Sequence, residues 1–410
     1  MKKWISLILA LTMLSTFAGA VDEAAAGAPG EGTVPVDDTT PLLLTYAEIE
    51  RLILENNPVI FQNRASLYAL EHNDATNSMA DALWEMSSQL SAMQRRLDGA
   101  AEALENASAS TPEIQGIYGA LALNLRASSA LVSSTISTVK AQSAQMNVSE
   151  DTIKTTKLNM EQAELQLVSG AQNIFIAYNA MARQVRDLAR SRTYLEHNIE
   201  IMELRLKLGQ ISELDLLSVT GQLPQVISGI ATLENEMENL RGEMNLMLGR
   251  AFDAPLEFAP LPAAVLPEAE KRGENQKKAL ENSYSLKLKE QALKEIKNPN
   301  DSQAIEKQRQ AAVSARDAEA RRVLFLEDKL WRALEDKQRA AADAQSALQD
   351  EARRYDAAKL KYELGTIARI DFEKAQLDYE TKASAVQSAY GDIFTAALQY
   401  DWLIRGLPAQ

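Results

Sequence analysis

Two copies of one pattern constrain this chain more than anything else in it. Arg205 to Leu216 and Lys361 to Phe372 both read basic-x-x-Leu-Gly-x-Ile-x-x-φ-Asp-φ, where φ is apolar, and they lie 156 positions apart. Each copy joins two long amphipathic segments. Glycine takes the left-handed conformation that ends a helix. Ser212 is a suitable N-cap for the helix that follows the first copy, and an acid falls in the first turn of both. Each copy is therefore read as the sharp tip of a helical hairpin.

The flanking stripes support this. Ile174, Tyr178, Met181, Val185, Leu188, Leu195, Ile199, Met202 and Leu206 approach the first tip in 4-3 spacing. Leu216, Val219, Leu223, Val226, Ile230, Leu233, Met237, Leu240, Met244 and Met247 continue it beyond the tip. Sustained 3.5-residue spacing is the mark of coiled-coil packing. Adding 156 to each position carries the stripes into the second half with three polar misses, Lys337, Glu351 and Lys382. The chain is a tandem duplication. The fold class is all-α: long antiparallel coiled-coil hairpins in two structural repeats.

The expected boundaries follow. Residues 1–20 have the form of a secretory signal, with Lys2 and Lys3 before an apolar run and Ala18-Gly19-Ala20 at its end. Residues 21–44 are a flexible leader. Residues 45–249 form the first repeat, opened by a Thr45-x-x-Glu48 capping box and carrying an extra helical hairpin around 75–130. Residues 250–267, with four prolines, are an extended linker, and 268–407 form the second repeat, including a turn at Asn298–Asp301. Pro224 is read as a kink in the helix leaving the first tip. After the signal, no run approaches the roughly 18 apolar residues of a membrane helix.

Several function classes drop out. There is no cysteine, hence no disulfide and no thiolate site, and the net charge of −14 argues against nucleic acid. The two histidines, His72 and His197, lie far apart in the sequence, and neither sits in a catalytic or metal-ligating motif. His197 falls beside the heptad seam, as a satisfied or exposed side chain. Met237, Met244 and Met247 lie on the seam as packing residues. No enzyme activity, cofactor or metal is expected.

The Leu44-Thr45 helix start, its Glu55-Asn56-Asn57-Pro58 end, the two Leu-Gly tips with Asp six residues on, and the duplication resemble the TolC-like outer-membrane efflux proteins. The resemblance covers about 45–107 and 140–405. It implies a TolC-like α-barrel protomer, three copies of which build a hollow barrel in the cell envelope. It also implies partners: a membrane-fusion adaptor and an inner-membrane transporter of an efflux or type I secretion system. Gly209 and Gly365 match the turn glycines, and with Leu208, Ile211, Leu364 and Ile367 they become the adaptor-docking tips. Asp215 and Asp371 match acids that constrict the tunnel, and Tyr362 matches an aromatic at its closed end. Ile367 stands where relatives place an arginine, for which Arg369 is the available substitute. The spanning β-hairpins of the family have no counterpart in the pattern, which reads as helix in their place. The alternative function is an exported coiled-coil scaffold of the envelope without a conduit.

Overall fold

The computed structural model describes residues 40–72, 150–296 and 303–407, with scattered positions between 87 and 136. In chain order these are β1 (Leu42–Leu44), α1 (Tyr46–Asn56), α2 (Pro58–His72), α3 (Glu150–Lys207), α4 (Glu213–Thr220), α5 (Leu223–Met247) and β2 (Leu256–Phe258). After a 3-10 turn at Ala269–Lys271 come α6 (Arg272–Asn282), α7 (Tyr284–Glu295), α8 (Gln303–Glu363) and α9 (Arg369–Ile404). The expected signal, most of the leader, most of the extra hairpin, the Asn298–Asp301 turn and the replacement of the β-hairpins by helix lie outside the described residues.

Local chemistry sets the element ends. The Thr45 amide and hydroxyl both donate to Glu48 Oε2, at 3.2 and 2.6 Å, and fix the start of α1. Asn57 is extended ahead of Pro58 and ends it. The Asn57 side chain then accepts from the amides of Val59 and Ile60 and donates to the Met247 carbonyl at 2.8 Å, joining α1, α2 and α5 at one point. The end of the leader is not loose as expected. Leu42–Leu44 pair in parallel with Leu256–Phe258 of the linker. Leu44 is fully buried, and Arg250 donates to the carbonyls of Thr40 and Pro255.

The long helices α3 and α8 have 58 and 61 residues, roughly 90 Å each. α3 packs on α5, α9 packs on α8, and α3 packs on α9. The hairpins thus lie side by side as a four-helix layer in the order α5–α3–α9–α8. Among the described residues no comparable packing joins α5 to α8, so the layer is open at both edges.

Burial is concentrated at the roots of the hairpins. One cluster unites Leu44, Ile49, Ile53, Ile60, Phe175, Met244, Leu256, Leu398, Trp402 and Leu407, drawing on both halves of the chain. Toward the tips it stops. Buried apolar side chains end at Met181 on α3 and at Ala341 on α8; they begin at Leu233 on α5 and at Val386 on α9. The heptad stripes nearer the tips, Leu223 and Ile199 among them, are half-buried rather than core. Among the described residues, a single layer of helices provides neighbours on the flanks but nothing over the faces near the tips.

Pro224 lies just after an interruption of the helix: Gly221 and Gln222 keep right-handed helical angles between α4 and α5, and Pro224 stands in the first turn of α5. The expectation of no membrane-length stretch also needs correction: among the described residues, Glu213–Met247 is long and apolar enough by composition, with only 6% of its apolar window buried. The reason is a run from Leu216 to Leu233 without a single charge, polar residues included.

The duplication recurs in the closing contacts. Gly249 and Gly406 both have positive φ, 72° and 102°, and end the outgoing segments of the two repeats. Each lies against the end of its repeat's first short helix. A Cβ would come within 2.6 Å of the Asn56 carbonyl oxygen at Gly249 and within 2.2 Å of the Asn282 oxygen at Gly406. Gly209 and Gly365 have the same sign of φ but nothing within 4 Å. Replacing either tip glycine by Ala should cost only the left-handed penalty of about 1–2 kcal/mol. Gly249→Ala and Gly406→Ala should cost clearly more in denaturant melts, because backbone must move as well.

A buried charge locks the second repeat at its root. Glu327 is fully buried on α8. It accepts from Arg272 Nε at 2.9 Å, Arg272 Nη2 at 3.1 Å, Gln276 at 2.8 Å and the Tyr400 hydroxyl at 3.0 Å. Burial alone would raise its pKa, but these four bonds outweigh it and hold the carboxyl below its ordinary 4.5. The same environment, burial first, pushes the Tyr400 phenol up to about 12. A lowered acid stabilises the fold above its unfolded pKa and loses that contribution as pH falls through the folded value. Arg272→Met leaves Glu327 buried without its cation. It should cost about 3 kcal/mol, the low end for a broken buried pair because Arg272 is partly exposed. In melts from pH 7 to pH 3 the variant should also lose part of the parent's acid-side decline.

Candidate functional site at the hairpin tips

The two tips close in the same way. At the first, the Gly209 amide donates to the Leu206 carbonyl and Gln210 to Arg205, both at 2.9 Å. At the second, Gly365 donates to Tyr362 at 2.9 Å and Thr366 to Lys361 at 2.8 Å. This paired pattern around a left-handed residue is the Schellman turn, and φ of 71° and 69° explains the glycines. Leu208 and Leu364 project from the turns and are exposed, while Ile211 and Ile367 are half-buried beneath them. The six expected docking residues thus form two equivalent small apolar caps.

The expected constriction residues are distributed differently. Asp215 is a capping residue: it accepts from the Ser212 amide at 2.9 Å and the Ser212 hydroxyl at 2.7 Å, bonds that lower its pKa, and Ser212 Oγ accepts from the Asp215 amide. Asp371 occupies the same place after the second tip, but the N-cap there is Ala368, which has no side-chain bond to offer. Tyr362 stacks on Phe372 at 5.0 Å between centroids; Phe372 stacks on Tyr355, and Tyr355 on Tyr379. This aromatic ladder ties α8 to α9 behind the second tip. Arg369 pairs with Glu373 of its own helix at 2.7 Å.

The contacts between the hairpins that sequence reasoning missed include three polar pairs on this half of the layer. Arg190 of α3 pairs with Glu380 of α9 at 3.0 Å, the Ser384 hydroxyl donates to Asp187, and His197 Nδ1 lies 3.1 Å from Glu373 Oε2. Burial would raise the Glu373 pKa, but its bonds to Arg369 and His197 hold it low. The two halves of each pair lie too far apart in sequence for spacing to reveal them. Equally missed is an outer stripe on α4 and α5, Leu214, Leu217 and Ile227, exposed by 80%, 68% and 42%. The available sequence signal was the charge-free run itself.

No protein-family model matches the sequence, and no curated protein matches it. Solved structures do. The Campylobacter jejuni CmeC outer membrane channel aligns over 88% of this chain and 85% of its own, at TM-score 0.50 and 11% identity. The Vibrio cholerae outer membrane protein VceC aligns over 88% and 96%, at 0.51 and 10%. A membrane protein from Pseudomonas aeruginosa aligns over 90% and 95%, at 0.50 and 12%.

The fold is that of the TolC-like outer-membrane channels.

In this chain the tips differ mainly in their caps, Ser212 in one and Ala368 in the other. Ser212→Ala should destabilise the first turn of α4 by about 1 kcal/mol, and Ala368→Ser, with Asp371 three residues on, should gain a similar amount. Hydrogen exchange of the amides just after each tip should speed up in the first variant and slow down in the second.

Proposed function

We propose that this chain is the exit duct of an efflux or type I secretion system: a conduit in the cell envelope rather than an enzyme. Copies close edge to edge, three to a ring, and the tips dock a membrane-fusion adaptor that leads to an inner-membrane transporter. One observation carries the reading. Among the described residues the four-helix layer is open, and one of its edges carries the exposed side chains of the charge-free run Leu216–Leu233 on α4 and α5. An edge of that kind placed against the α8 edge of the next copy makes a head-to-tail contact, which closes into a ring when the rotation is right. It also covers the half-buried stripes that the isolated chain leaves without a core. Six tips per ring would then present the Leu208 and Leu364 caps, and repetition raises avidity where each contact is weak.

The test is direct. Electron microscopy of the purified protein should show threefold rings with a lumen. Leu217→Lys with Ile227→Lys should yield single chains of unchanged helical content. Gly209→Trp with Gly365→Trp should leave the rings intact and abolish pull-down of the adaptor encoded beside the gene. Filaments or monomers of the parent protein would instead favour an envelope scaffold, and recovery of the parent only within lipid would mark the α4–α5 face as a membrane contact.

A further inference from the structure

Beyond the roots the layer continues in shorter pieces. Asn57, which caps α2, donates to the Met247 carbonyl at the end of α5. Asn282 donates to the Ile404 carbonyl at the end of α9 at 2.8 Å, and the Tyr284 amide of α7 donates to Gly406 at 3.1 Å. So α2 extends the column of α5, and α7 extends the column of α9. Among the described residues α2 packs on α3, α3 on α7 and α7 on α8, with no comparable packing of α2 on α8. This level is open too, with α2 at one edge and α8 at the other.

Here the two repeats meet at the joint of α7 with α3. Gln291 donates to Asp151 and the Thr155 hydroxyl to Glu295, both at 3.3 Å, and the Tyr284 phenol faces Glu161. The duplication writes both sides of this joint a second time. Asn57 and Ser283 are equivalent caps, accepting from the amides of Ile60 and Leu286. Counted from them, Tyr284, Lys287, Gln291 and Lys294 of α7 correspond to Pro58, Phe61, Ala65 and Tyr68 of α2. At the 156-residue offset, Asp151, Thr155, Leu158 and Gln162 of α3 correspond to Lys307, Ala311, Ser314 and Ala318 of α8.

Both second versions lie on the outer edges. Phe61 and Tyr68 are exposed by 53% and 57%, and Pro58 and Ala65 are exposed on the same stripe. Ala311, Ser314 and Ala318 form an exposed stripe of small side chains on α8, whose other flank meets α7 through Glu319 and Ser285. The chemistry differs between the two versions. Inside the chain, amide and hydroxyl groups meet carboxylates. On the edges Ala65 stands for Gln291, Lys307 for Asp151, and two rings for two lysines. The α2 edge therefore has no donor for the α3 acids, and its rings match the gaps left by small side chains on α8. Aromatic anchors entering such gaps carry a large share of interface energy.

We infer that the α2 edge of one copy seats on the α8 edge of the next, with Phe61 in the gap along Ala311, Ser314 and Ala318 and Tyr68 over Lys307. It repeats between chains the joint that α7 and α3 make within one. The inference rests on the reading of the chain as part of a closed ring. It names what commits these two edges to another copy: rings against small side chains, where the internal joint uses hydrogen bonds.

The chain has no cysteine, so a disulfide can be placed cleanly. Phe61→Cys with Ser314→Cys, oxidised in the assembled protein, should run on a denaturing gel as linked pairs and triplets. Either substitution alone should run as a single chain. Phe61→Lys, the residue type that α7 carries at this position, should weaken assembly about 10-fold or more, as loss of an interface anchor does, with helical content unchanged. Adding Ser314→Glu to Phe61→Lys should restore assembly by giving the lysine a carboxylate. Rings in which the cysteine pair stays unlinked or links within one chain, or rings that ignore Phe61→Lys, overturn this joint and leave the ring itself standing. A parent protein that forms no rings overturns both.

Discussion

A helix within a single layer touches neighbours on two flanks and has two faces left over. That constraint governs this molecule. α3 and α9 sit in the middle of the layer, each between two others, while α5 and α8 each have a flank with no neighbouring long helix among the described residues. Near the roots, shorter elements supply the missing cover: β1, α1, α2, β2 and α7 gather around Phe175, Met244 and Trp402 and close a true core, and α6 joins a second cluster through Ala279. Near the tips the described residues include no such elements. The same heptad stripe is therefore buried at one end of a helix and half-exposed at the other, although its composition hardly changes.

The root is also where charge is committed to the fold. Glu327 can be buried because Arg272, Gln276 and Tyr400 converge on both of its oxygens, which meets the cost of desolvating a carboxylate. Arg405 pairs with Glu50 across the two repeats and lies over the Trp402 ring at 4.1 Å. Trp402 in turn donates to Gln172 of α3 at 2.9 Å. These links staple the end of the second repeat onto the beginning of the first. The polar pairs between hairpins near the tips are more exposed and contribute little individually. The molecule is firm where the repeats meet and loosely joined where they end.

The comparison of sequence with structure follows this division. The tips were legible because a Schellman turn is local: Leu-Gly, a left-handed φ and hydrogen bonds spanning at most five residues. The capping box at Thr45 and Glu48, the extended Asn57 before Pro58 and the end of α8 were legible for the same reason. Leu42–Leu44 were not, because three residues form a strand only when β2, some two hundred positions later, offers a partner. Asp215 was legible as the acid in the first turn after the Ser212 cap, because the bonds between the two span only three residues. His197 looked like a bystander on the heptad flank until α9 placed Glu373 opposite it.

The amino-acid sequence by itself determined the helical periodicity and the two reversals, since each depends on residues within a few turns of one another, and the duplication, since the same local pattern is written twice at one fixed offset. Only the tertiary structure decided which stripe of each helix is buried, which acid finds which base across the seam, and which edge of the layer is left bare. Those outcomes depend on how two hairpins some 150 residues apart lie side by side, and a period of 3.5 residues fixes the face of a helix but not the neighbour it meets.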